Sequence, residues 1–517
     1  MSSAEDSDSA SPLNLPGRRP AAPSSASASR TAAKTQARSN EILSMVRDGL
    51  KRAEDVSKAA ARAIDVDAVS ALVGDLAALR VDDAAAKQPI TRVQTPPPVV
   101  DAKKAPLATP APKQRSSTAV EVGSKVKVGL VYDERMEAHE MVGHFECPAR
   151  HRVVVNEIKA DGLAARCVPL RSREATDAEL LRAHDAAHVA AVQTAFDPQG
   201  EPVQVATVDD DTGNDIFYTK DTSFGARMAA GCVTEACEAV LRGDVQRAFA
   251  VVRPPGHHAL CARAMGFCFF NNAVVAARAA LEREDVQRVM ILDWDVHHGN
   301  GIQDLTLEDE SIMYVSLHRY GDGFYPGTGA GEEVGKNGTN INVGWLEKGL
   351  GDADYLAAFD IVIEPIARSF APDLIIIAAG FDAADGDPLG GMMLSPTGYE
   401  HMTRRLCDIG SGRVVIALEG GYALRPLATC ASASLRALLG DTPRAISSRS
   451  RPRKTSVKLL TNLAASFAPY WPALKSEEYS EKVRAILKHT TVVASRRVDA
   501  YPTGRRSSSM SSSATAV

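Results

Sequence analysis

Residues 289–300, V-M-I-L-D-W-D-V-H-H-G-N, decide the fold. Four apolar residues in succession, without alternation, describe a strand covered on both faces, as strands of a parallel sheet are. The run then breaks into Asp293, Asp295, His297 and His298, and Gly299 lets the chain turn. Alternate strand residues point the same way, so Asp293, Asp295 and His297 are expected to share one side at the strand's C-terminal end. Open α/β sheets bind ligands at that end. An Asp and a His one side-chain period apart suit a small divalent cation, and imidazole beside carboxylate favours zinc. The competing reading is a solvated loop with histidines there by chance.

Outward from this stretch the same grammar repeats. Short apolar runs at 126–132, 248–252, 312–317, 374–378 and 414–418 read as further strands, and amphipathic segments at 224–241, 272–281 and 354–369 read as helices between them. Alternating β and α predicts one three-layer α/β domain over 123–440, with a mostly parallel central sheet and helices on both faces. Right-handed crossovers gather the strand-end loops along one edge.

Each other polar cluster follows one of those strands. R-P-P-G-H-H-A after Val252 puts His257 and His258 on a stiff loop, where imidazoles that titrate near neutrality suit acid–base work. G-F-C-F-F-N-N, residues 266–272, comes next. G-F-D-A-A-D-G-D-P-L-G-G after Ala379 offers Asp382 as a third ligand beside Asp295 and His297, leaving a fourth position open, the arrangement of a catalytic zinc. In E-G-G-Y after Leu418, two glycines bring the Tyr422 hydroxyl close to whatever the metal holds.

The flanks differ in composition. Residues 1–122 are rich in Ala, Ser and Pro and read as a disordered arm, with a helix expected near 40–79 as a partner-binding element or a transient one. Residues 441–500 read as a basic linker followed by helices. Arg449, Arg451, Arg453 and Lys454 are either a nuclear-import signal or a solvated charged loop. Val457, Leu460, Ala464 and Phe467 share one helical face that should dock on the domain. Residues 501–517 read as a disordered tail. The 517 residues carry a net charge of -5 and eight cysteines without a CxxC pair. That balance gives no cue for direct sequence-specific nucleic-acid binding. No apolar run spans a membrane, and the acidic start lacks a secretory signal, so an intracellular protein of nucleus and/or cytoplasm is expected.

R-P-P-G-H-H, G-F-C-F-F-N, D-W-D-V-H-H-G-N-G, S-L-H-R-Y, F-Y-P-G-T-G, G-F-D-A-A-D-G-D-P-L-G-G and L-E-G-G-Y together resemble the class II (HDA1-type) histone deacetylases of the zinc-dependent deacetylase and acetylpolyamine amidohydrolase family. The resemblance runs from about residue 126 to 440. It implies an arginase-like fold and hydrolysis of N-acetyl-lysine in proteins to lysine and acetate, with roles in chromatin and transcription regulation.

Carried over by position, the resemblance makes Asp295, His297 and Asp382 the ligands of one catalytic Zn2+. His257 and His258 become the tandem histidines, oriented by Asp293 and Asn300, with His258 the general base. Tyr422 becomes the oxyanion donor. A structural K+ is implied at backbone oxygens of Asp293, Asp295, His297 and Leu317 with the side chains of Asp293 and Ser316. Gly266, Phe267 and Tyr325 would line the channel for the acetyl-lysine stem, Tyr325 standing where the family usually has Phe. Leu389 stands where polyamine-preferring members carry an acidic gatekeeper. Tyr422, where a weakly active subgroup has His, and the isolated Cys147 and Cys167 place the chain with the active members. The rim carboxylate that grips substrate backbone has no firm counterpart beyond Asn214 or Asp215.

Acetylated proteins such as histones or tubulin are the implied substrates, and a corepressor-type partner is the expected occupant of the N-terminal arm. A small-molecule acetylpolyamine amidohydrolase and an acetyl-lysine-binding scaffold are the alternatives. The long arms disfavour the first and the complete site disfavours the second. An arginase-like dimetal hydrolase would need further carboxylates that are not apparent at these strand ends.

Overall fold

The computed structural model describes residues 126–195, 203–205, 216–447 and 450–491. The arm at 1–122 with its expected helix, Arg449 and the tail at 501–517 lie outside the described residues, as do Asn214 and Asp215.

The sheet strands are β1 (Val128–Tyr132), β2 (Val168–Pro169), β5 (Arg247–Val251), β6 (Val289–Asp293), β7 (Ile312–Arg319), β8 (Asn340–Trp345), β9 (Leu374–Ala379) and β10 (Val414–Leu418). A separate antiparallel pair joins β3 (Val203–Val205) to β4 (Ile216–Tyr218). The eight strands run in the order β2-β1-β5-β10-β9-β6-β7-β8, every pairing parallel. Successive residues face opposite cores: Met290 and Leu292 join one hydrophobic cluster, Val289 and Ile291 the other. The unalternating apolar runs follow from this burial on both faces. The strand order also brings the ends of β5, β10, β9 and β6 side by side, although their motifs are scattered through the chain.

Asn340 and Asn342 hid β8 from the sequence reading. Both are buried on an edge strand, with their amides donating to Gln303 Oε1, while Ile341, Val343 and Trp345 fill the core on the other face. The helix expected at 354–369 is three pieces, Asp352–Ala358, a π turn over Phe359–Ile363, and Glu364–Phe370. Pro365 has no N–H to offer the Ile361 carbonyl. The Tyr479 hydroxyl donates to that carbonyl instead, at 3.1 Å, from the helix Glu477–Lys488.

In the helix Lys454–Phe467, Val457, Leu460, Ala464 and Phe467 are buried. Arg453 caps its start rather than standing in a free basic run. Its backbone N–H donates to Asp354 at 2.7 Å and its guanidinium reaches Glu347 at 2.9 Å. No helix among the described residues is long and apolar enough to cross a membrane.

Candidate active site

The strand alternation expected to align Asp293, Asp295 and His297 stops at Asp293, the last residue of β6. There the chain bends. Asp293 turns away to His257 Nδ1 at 3.1 Å and to the Tyr314 hydroxyl at 3.1 Å. Asp295 and His297 meet across the bend, with His297 Nδ1 at 3.1 Å from Asp295 Oδ1 and 3.0 Å from Asp382 Oδ2. Asp382 arrives from the loop after β9.

Backbone N–H groups fix both carboxylates. Gly420 donates to Asp295 Oδ2 at 2.9 Å and Val296 to Asp382 Oδ1 at 2.7 Å. A Cβ on Gly420 would lie 2.4 Å from Asp295 Oδ2, 2.6 Å from Asp382 Oδ2 and 3.3 Å from the Tyr422 hydroxyl. No side chain fits there, and those polar atoms surround one small volume.

The donor set fits a divalent metal. One imidazole nitrogen and two carboxylate oxygens lie within 4.8 Å of one another. Burial raises the pKa of Asp382 to about 7, with repulsion from Asp295 adding to it. Burial works against charge on His297, but Asp295 and Asp382 prevail and raise its pKa to about 9. Two carboxylates crowded around one imidazole out of water match a cation's demands.

The tandem histidines are set apart electrostatically. His257 has its pKa raised to about 10, because Asp295 and Asp293 outweigh the burial that opposes its charge. His258 is pushed well below the ordinary range by burial and by His257 and His297. Its Nδ1 lies 2.8 Å from Asn300 Oδ1. An amide oxygen only accepts, so Nδ1 carries the hydrogen and Nε2 is left as the basic atom.

Around this floor stand aromatic rings. Phe267, in a left-handed conformation at φ 67°, sets its ring edge-on to Tyr422 at 5.8 Å. Gly266, its neighbour, is held against the His258 ring. Tyr325 stands 5.1 Å from His258 and 6.2 Å from His297. Phe324, which the sequence reading passed over, lies flat on His297 at 4.9 Å and 7°, with the Arg319 guanidinium 3.8 Å over the same ring. Leu389 is half-buried on the loop that Asp387 pins through the Leu389 N–H. Asp293 and Ser316 are register partners across β6 and β7, both fully buried, as is Leu317, and the Ser316 hydroxyl meets His318 Nδ1 at 2.8 Å.

A buried ion cluster is the largest part the sequence reading missed. Glu146 takes Arg253 at 2.6 and 2.9 Å and Arg150 at 3.0 Å. Arg150 then donates to the Gly421 carbonyl at 2.7 Å and to that of Glu419, and its guanidinium lies 5.0 Å over the Tyr422 ring. Glu419 in turn accepts from the N–H groups of Gly256 at 2.6 Å and His257 at 3.1 Å. The loops bearing the histidines and Tyr422 are therefore joined twice. One cue was available, since Arg253 directly follows an apolar strand and a charge there must be paired.

The histone deacetylase domain profile matches residues 144–438. The chain is 39% identical over 386 residues to histone deacetylase 15 of Arabidopsis thaliana, covering 72% of this chain and 68% of that protein. It is 39% identical to histone deacetylase clr3 of Schizosaccharomyces pombe over 68% of this chain and 54% of the other. Against histone deacetylase 7 of Homo sapiens it is 36% identical over 75% and 44%. The crystal structure of the HDA15 HD domain superposes with a TM-score of 0.63 at 40% identity, covering 70% of this chain and 99% of that one.

Proposed function

Because the chain belongs to the histone deacetylase family, in its class II, HDA1-type branch, we propose that it hydrolyses N-acetyl-lysine in proteins, histones and/or non-histone proteins, to lysine and acetate. The observation that carries this is the meeting of Asp295, His297, Asp382 and the Tyr422 hydroxyl around one small volume, with His258 beside His297.

Asp295, His297 and Asp382 would hold a zinc ion, which would supply Lewis acidity to the acetyl carbonyl and to the attacking water. His258 Nε2 takes the proton from that water and later delivers one to the leaving amine. His257, oriented through Nδ1 by Asp293, stands beside the reacting centre. Tyr422 donates its hydroxyl to the carbonyl oxygen as negative charge develops. Phe267 and Tyr325 flank the lysine stem. A structural K+ at Asp293, Asp295, His297, Ser316 and Leu317 would brace the ligand loop. The catalytic unit is 123–440. Residence in nucleus and/or cytoplasm, and a corepressor-type partner for residues 1–122, belong to the same reading.

The purified chain assayed on acetylated histone, acetylated tubulin and acetylpolyamine, with and without a hydroxamate chelator, tests it. Turnover of an acetylated protein that the chelator abolishes is the expected result. Turnover of acetylpolyamine alone would assign the small-molecule activity, and turnover untouched by the chelator would remove zinc from the mechanism.

A further inference from the structure

A second set of donors lies behind the site. His257, Cys268 and Glu419 are all buried and offer one nitrogen, one sulfur and one carboxylate oxygen within 4.8 Å of one another. Glu419 spends Oε2 on two backbone N–H groups, yet Oε1 is buried with no hydrogen-bond partner. A carboxylate oxygen left so is costly, and burial pushes the Glu419 pKa up to about 7. The Cys268 thiol donates to the Gly266 carbonyl at 3.2 Å and meets the His258 backbone. Imidazole, thiolate and carboxylate together are a donor set for zinc and ions of similar softness.

We propose that His257, Cys268 and Glu419 form a second, inhibitory site for a divalent metal of the zinc type. His257 Nδ1 remains on Asp293, so Nε2 is the nitrogen that binds. That atom lies 3.8 Å from Asp295 Oδ2, which sets the second ion beside the first. Metal–sulfur and metal–nitrogen bonds form as the Cys268 thiol proton and the Nε2 proton of His257 leave for solvent, and no oxidation state changes. Repulsion between two dications makes the second ion bind more weakly. The site fills only when metal exceeds one equivalent, and filling it takes His257 away from the reacting centre.

The inhibition rests on the function proposed above, whereas the binding has its own spectroscopic signature. The full chain is stripped of metal and titrated with Co2+, following absorbance and turnover together. The first equivalent should restore turnover without a sulfur-to-cobalt charge-transfer band, because Asp295, His297 and Asp382 contain no sulfur. The second should bring that near-ultraviolet band and stop turnover. Cys268→Ala should lose the band and the inhibition while keeping the first equivalent and its activity. Glu419→Gln keeps an oxygen for the two N–H groups and should weaken the second equivalent by at least about tenfold, the loss that even an outer partner of a ligand produces. A band that survives in Cys268→Ala, saturation at one equivalent, or inhibition unchanged in both variants would overturn the site. A first equivalent that restores no turnover would count against the deacetylase reading, while the band would still decide the second site.

Discussion

Asp293, Asp295, Asp382, Glu419, Glu146, Arg150 and Arg253 are all 0% exposed, whereas Val142 at 94%, Phe145 at 54% and Leu424 at 39% stand in solvent. Phe145 lies at the rim, 6.3 Å from the Tyr422 ring. The floor thus puts charge where water is absent, and the surface nearby puts apolar groups where water is present. Each half inverts the usual placement. On the floor, charges are held by other charges and by backbone N–H groups. At the rim, Phe145 presents a half-exposed ring beside Tyr422. Chemistry should therefore fail when the floor is altered, and selectivity alone should move when the rim is.

The largest effect is expected at a ligand. Asp382→Asn removes one of two charged donors, and zinc occupancy by elemental analysis should collapse with turnover. Full occupancy with activity retained would remove Asp382 from the site.

Next is Glu146→Gln, which strands two buried guanidinium groups at a cost of about 3–5 kcal/mol, read by urea unfolding. Burial opposes charge on Glu146, but Arg253 and Arg150 hold its pKa at about 2. Its folded pKa is depressed, so its stabilisation is full above the ordinary carboxylate value of 4.5 and is lost as pH falls towards 2. Stability of the wild type should drop through that window, and the variant should lack that part of the slope. An unchanged acid limb would mean the cluster adds nothing to stability.

Tyr422→Phe keeps the ring and removes one donor. Turnover should fall roughly a hundredfold to a thousandfold, about 2.7–4 kcal/mol, with peptide binding little changed. Equal turnover would mean that the hydroxyl does not meet the developing charge. The smallest effect belongs to the rim. Phe145→Ala should alter KM among peptides of different flanking sequence by about 1 kcal/mol or less, with kcat preserved. A matching loss of kcat would erase the division between floor and rim.

Much of the floor was legible because its residues interrupt apolar strands, where a carboxylate or imidazole stands out. Asp293, Asp295, His297 and Asp382 were found that way, and so was the parallel sheet itself. Their geometry was not legible, because alternation holds only within a strand and β6 stops at Asp293. Strand order escaped as well, since local pattern says nothing about β10 lying between β5 and β9. Glu146 and Arg150 read as ordinary charges at the start of a helix, their partners being far along the chain. The Pro365 break depends on Tyr479, another distant residue.

Arg150 and the Gly421 carbonyl it binds are 271 residues apart in the chain. During synthesis the arginine leaves the ribosome long before its acceptor exists, and β10 must enter between β5 and β9 before the two can meet. Topologies dominated by such distant pairings fold slowly and expose unfinished strand edges while they do. For this chain the site cannot close until β10 has been made and inserted, which places its last hydrogen bonds after the rest of the sheet is available.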